Sequence, residues 1–129
     1  MPFIELTVKK GLPGERLAAC MKRLTYAAVD TLENVALPMV RVTVVEVEED
    51  YIRDGGQRPA AHFPVSIHFQ LGPGREKPSI MTCMDRMVDA VSETLRVPKR
   101  DIRLYIHLIE GDQLAIGGKL KNFGQQKGT

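Results

Sequence analysis

The chain has 129 residues, with 18 Lys and Arg against 16 Asp and Glu, for a formal charge of +2. That length suits one domain with one core, since domains run to ~100 to 150 residues, and a small, scattered charge excess argues against a nucleic-acid footprint. No apolar run approaches the ~18 residues of a membrane span, and no secretory signal opens the chain, so a soluble cytoplasmic protein with no membrane partner is expected.

Phe3-Ile4-Glu5-Leu6-Thr7-Val8 reads as a short strand rich in β-branched and aromatic residues. Leu17, Cys20, Met21, Leu24, Ala28 and Leu32 then fall at three- and four-residue steps, an amphipathic helix with Pro13 and Glu15 suited to its start. Pro38 closes the helix, and Val40 to Val47 reads as a second strand. The polar segment from Glu48 to His62, with Gly55-Gly56 and Pro59, reads as a loop or short hairpin. Val65-Ser66-Ile67-His68-Phe69 opens a second strand–helix–strand series, continued by Ile80, Met84, Met87, Val88, Val91 and Leu95 with Ser79 as candidate N-cap. Pro98 and a strand from Ile102 to Ile109 complete it, and Lys119 to Thr129 reads as a mobile tail. Cys20 and Cys83 lie inside helices without metal-ligand spacing, so they are expected as free buried thiols. The methionines are expected as core filler.

Three landmarks recur at an offset of 62: Pro2 and Pro64, Val40-Arg41-Val42 and Ile102-Arg103-Leu104, and Gly55-Gly56 and Gly117-Gly118. The halves therefore divide as residues 1–62, a βαβ unit with linker, and 63–121, a second βαβ unit, with 122–129 as tail. The predicted fold class is α/β (α+β), with tandem βαβ units forming a four-stranded sheet and both helices on one face. Apolar residues on both sides of the strands, Val44 with Val45 and Ile106 with Leu108, predict that the uncovered face packs on other subunits.

These residues resemble the tautomerase superfamily, and within it a fused 4-oxalocrotonate tautomerase. The resemblance rests on Pro2-Phe3-Ile4, Pro64, the strands at 40–42 and 102–104, and Leu114-Ala115-Ile116-Gly117-Gly118. It covers nearly the whole chain. It implies a homotrimer, no cofactor, no metal, and a small anionic enol or dienol carboxylate as substrate. The implied activity is an isomerase that moves a proton between enol and keto forms, with the amino-terminal proline as base.

That role has a physical basis. Removal of Met1 leaves Pro2 a secondary amine, and α-amino groups titrate at ~7.7 to 8.0 before desolvation and nearby cations lower them further. The resemblance places substrate-binding groups at Arg41, Arg75 and Arg103 and an apolar wall at Leu114, where the parent tautomerase has an aromatic residue. Arginines bind carboxylates bidentately and stabilise a developing enolate. Arg75 lies one residue beyond the 62-residue register, and Leu12 stands in the corresponding place of the first half. Pro64 is an internal tertiary amide and cannot be a base.

Within the same superfamily, hydrolytic dehalogenation or decarboxylation is the alternative activity; the first is disfavoured because no histidine lies between Leu12 and Glu33. A non-catalytic oligomeric paralogue is the alternative if Met1 is retained, since the Pro2 nitrogen is then an amide. His62, His68 and His107 are isolated in sequence and form no metal cluster.

Overall fold

The computed structural model describes residues 2–59 and 64–121. In chain order the main elements are β1 (Phe3–Lys9), α1 (Gly14–Thr31), β2 (Arg41–Val47), β3 (Val65–Leu71), α2 (Lys77–Leu95), β4 (Ile102–Leu108), β5 (Ala115–Ile116) and β6 (Lys119–Leu120). The sheet order is β2-β1-β3-β4. Each outer strand runs parallel to its neighbour, and β1 and β3 pair antiparallel at the centre.

Alternation along the strands sets the two faces. Ile4, Leu6 and Val8 of β1 and Val65, Ile67, Phe69 and Leu71 of β3 are buried, and they pack with Cys20, Leu24, Ala27 and Ala28 of α1 and Cys83, Met87, Ala90 and Val91 of α2. Both helices therefore cover one face, as their apolar periodicity requires. The small Ala27 and Ala90 allow the close approach of the two helices over the central strands.

The other face differs from expectation. Its cross-strand rows read Arg41, Phe3, Gln70, His107; then Thr43, Glu5, His68, Tyr105; then Val45, Thr7, Ser66, Arg103. It is largely polar. Val44 points to the helices and packs against the core, and Ile106 and Leu108 alternate to the same side but project past the helix cover, 39% and 58% exposed. Exposed apolar surface lies at the rim, on β4 with Ile116 and Leu120, and on the open face at Val45 and Tyr105.

Several boundaries also move. Lys77 is the first residue of α2 and Glu76 its N-cap, so Ser79 lies inside the first turn rather than at the cap. The helices stop at Thr31 and Leu95, ahead of Pro38, which sits in a short 3-10 turn, and of Pro98, which caps the start of another. Lys119 and Leu120 belong to a hairpin with Ala115 and Ile116 instead of a tail. Its tip, Gly117-Gly118, has φ of +61° and +81°, and Gly55-Gly56 repeats this at +57° and +80° between Asp54 and Gln57. Two successive positive φ values make the tight turn that only glycine adopts without strain. His62 and residues 122–129 lie outside the described residues.

Candidate active site

The strand pairings correct the register of the repeat. Phe3 stands beside Arg41 and Ser66 beside Arg103, so Phe3 corresponds to Ser66, 63 residues on. The buried helix residues agree: Cys20 matches Cys83, Leu24 matches Met87, Ala27 matches Ala90 and Leu32 matches Leu95, each pair 63 apart. The offset drops to 62 only after the helices, where Asn34 and Arg96 share a left-handed φ of +58°. The first half thus carries one extra residue, Glu33, in its helix–strand connection.

Two consequences follow for the predicted residues. Pro64 does not occupy the place of Pro2, because the counterpart of Pro2 is Val65, and both are fully buried. Arg75, two residues before the first residue of α2, corresponds squarely to Leu12, two residues before that of α1. The one-residue misfit seen in sequence came from aligning the prolines.

The antiparallel pairing of β1 with β3 decides which residues share an end of the sheet. Phe3 pairs with Gln70, so the start of β1 lies beside the end of β3. Pro2, Arg41, the loop carrying Arg75, and the turn at Gly111–Gln113 that leads to Leu114 all fall at that end. Arg103 lies opposite Ser66, in the row of Thr7, four residues down the strand from Phe3 and thus ~13 Å away. The opposite end holds the counterparts Val65, Arg103, Leu12 and Ile52.

Pro2 is anchored through its carbonyl, which accepts a hydrogen bond of 3.2 Å from the Arg41 backbone N–H. The Arg41 guanidinium carbon lies 5.7 Å from the centre of the Phe3 ring, a cation–π contact that draws the side chain over the open face. Phe3, Ile4, Glu5, Arg41, Thr43 and Gln70 line a hollow of about 160 Å³ there. Arg75 is half-buried; its Nη1 donates to the Gly72 carbonyl at 3.4 Å, and its Nε is shielded from solvent without a partner. Leu114 is half-buried, and its carbonyl accepts from the Lys121 N–H at 2.8 Å.

Sequence reasoning missed two features. Glu33 reaches the start of α2, where its Oε2 accepts the Glu76 N–H at 3.3 Å. Its own backbone N–H, then the Ser79 hydroxyl and the Glu76 N–H, hold its carboxyl below the usual carboxylate range, with a weaker pull from Arg75. The signal available in sequence was the change of repeat offset. The second is the pair His68 and His107, whose Nδ1 and Nε2 lie 3.1 Å apart, with His68 stacked on Tyr105 at 4.9 Å. Parallel pairing of β3 and β4 brings these together on the open face. Among the described residues, no three His, Cys, Asp or Glu side chains converge as a metal cage.

No family model matches the chain, and no curated protein matches it in sequence. Solved structures do. A wild-type fused 4-OT that forms an asymmetric trimer is 24% identical with a TM-score of 0.84, covering 98% of this chain and 99% of that one. Pt0534 inactivated by 2-oxo-3-pentynoate is 18% identical, TM-score 0.82, covering 92% and 96%. A member of the cis-3-chloroacrylic acid dehalogenase family is 20% identical, TM-score 0.79, covering 98% and 88%. The chain therefore has the fold of these fused 4-OT structures, with two βαβ units in one polypeptide.

Proposed function

We propose that this protein is a tautomerase of small enol or dienol carboxylates, with the Pro2 nitrogen as general base once Met1 is removed. The observation that carries the reading is the inequality of the two ends of the sheet. One end combines Pro2, Arg41, Arg75 and Leu114, and the other has Val65, Arg103, Leu12 and Ile52 in the matching places. Only the first has a chain-terminal nitrogen that can be basic.

The chemistry follows from these groups. Arg41 binds the substrate carboxylate, and the freed Pro2 amine takes the proton from the enol oxygen. The electron pair left on oxygen becomes the carbonyl, and the displaced carbon–carbon double bond takes the proton back from the prolinium at carbon. Arg75 stabilises the enolate oxygen between these steps. Burial at this position and guanidinium groups at the same end of the sheet both disfavour an ammonium, which favours the neutral amine that the reaction needs.

A homotrimer is part of the proposal. A fused 4-OT of this fold is a trimer, and the exposed apolar residues of β4 and the β5–β6 hairpin supply a rim that a partner chain would cover. No helix among the described residues is long and apolar enough to cross a membrane, and we assign the protein to the cytoplasm. The test combines intact mass with a spectrophotometric assay of 2-hydroxymuconate and phenylenolpyruvate ketonisation. Protein lacking Met1 is expected to turn over an enol; equal turnover by protein that keeps Met1 would overturn the role of Pro2.

A further inference from the structure

We infer that Glu33 is the specificity-determining residue of the Pro2 end: its carboxylate fills the start of α2 beside Arg75, excludes a second substrate carboxylate, and restricts the site to enol acids with one. This rests on the reading of that end as a carboxylate site.

Three observations support it. Glu33 is the one residue by which the first helix–strand connection exceeds the second, so the repeat supplies no counterpart, and its place in the fold is at the Pro2 end. Its carboxylate accepts the Glu76 N–H and lies within electrostatic reach of Arg75. Both side chains are incompletely satisfied, with Glu33 Oε1 and Arg75 Nε shielded from solvent and unpartnered. A guanidinium with a fixed carboxylate nearby is compensated in charge, and it retains N–H donors for a neutral or partly charged oxygen. A second carboxylate there would meet Glu33 as a like charge, and near a protein surface such repulsion is stronger than in bulk water. Among the described residues Arg41 has no acidic partner within ion-pair distance, and it remains the carboxylate receptor.

Helix capping alone is the rival explanation, and Glu33→Gln separates the two, since the amide oxygen still accepts the Glu76 N–H while the charge is gone. Calorimetric titration of wild type and Glu33→Gln with sorbate and with muconate isolates the second carboxylate, because both are six-carbon dienoates and only muconate has two. Wild type is expected to bind sorbate at least as tightly as muconate. Glu33→Gln is expected to gain about tenfold in muconate affinity, the equivalent of one relieved repulsion, while sorbate affinity moves less than about twofold. An unchanged muconate-to-sorbate ratio in the variant, a wild type that prefers muconate, or no binding of either compound would each overturn the inference. These are binding measurements, so a protein that shows the expected ratios yet turns over no enol refutes the tautomerase reading and leaves the role of Glu33 standing. Unfolding midpoints of both proteins confirm that the variant is folded.

Discussion

Phe3 and Gln70 are cross-strand partners at the centre of the sheet. This one antiparallel pairing places the start of the chain beside the end of β3, and so puts the loop bearing Arg75 on the same side as Pro2. With parallel pairing of the same strands, Pro2 would instead lie beside Val65, far from that loop.

Replacing Pro2 tests the base directly. Pro2→Ala leaves a primary amine of different basicity and geometry, and kcat for enol ketonisation should fall by about a hundredfold or more, the usual contribution of a positioned general base. Pro64→Ala should leave kcat unchanged. An equal loss from the two substitutions would show that the proline nitrogen is not the base.

The arginines should separate by kinetic constant. Arg41→Ala is expected to raise KM by about tenfold or more, as loss of a charge-assisted carboxylate contact does, with a smaller change in kcat. Arg75→Ala should lower kcat more than it raises KM, since its partner oxygen gains charge only during reaction. Arg103→Ala should leave both near the wild-type values. A large effect of Arg103→Ala would instead mean that a neighbouring chain brings this residue to the Pro2 end.

The two thiols should be inert in the folded protein. Cys20 and Cys83 are fully buried, and burial raises both above the ordinary thiol range, so little thiolate forms. A colourimetric thiol reagent should modify neither in native buffer and both in denaturant. Rapid native labelling would contradict the burial of both thiols in the core between helices and sheet.

Among the described residues Phe69 is the largest wholly buried side chain, and it lies on the central strand β3. Phe69→Ala should cost about 3–5 kcal/mol, the range for truncating a buried aromatic. Chemical denaturation monitored by circular dichroism measures it, and a loss below about 1 kcal/mol would place Phe69 outside the core.

Glu33 gives the stability a pH dependence of predictable sign. Its folded pKa is below the unfolded value of ~4.3, so its contribution is full above that value and disappears as pH falls through the folded pKa. Wild-type stability should therefore decline on acidification more steeply than that of Glu33→Gln. Urea midpoints from pH 6 to pH 3 report the difference, and parallel curves would remove Glu33 from the acid response.

The sequence alone determined the four long strands, the two helices, the duplication and the faces of the helices, because these depend on local periodicity. Ile4, Leu6 and Val8 alternate, and Cys20, Leu24 and Ala28 recur every four residues, whatever surrounds them. The candidacy of Pro2 was legible for a similar reason, since the residue type and its place next to Met1 are read directly from the chain. The alignment of the halves was legible only in part: the helix residues from Leu17 and Ile80 to Leu32 and Leu95 recur 63 apart, while the two prolines suggest an offset of 62. Strand pairing decided it, because a one-residue slip turns every side chain to the opposite face of the sheet. Tertiary structure also decided that the open face is polar, that His68 meets His107, and that Arg41 and Arg75 rather than Arg103 share an end with Pro2. Each of these depends on which strands become neighbours and in which direction, and that is fixed by burial of the whole apolar face against both helices at once.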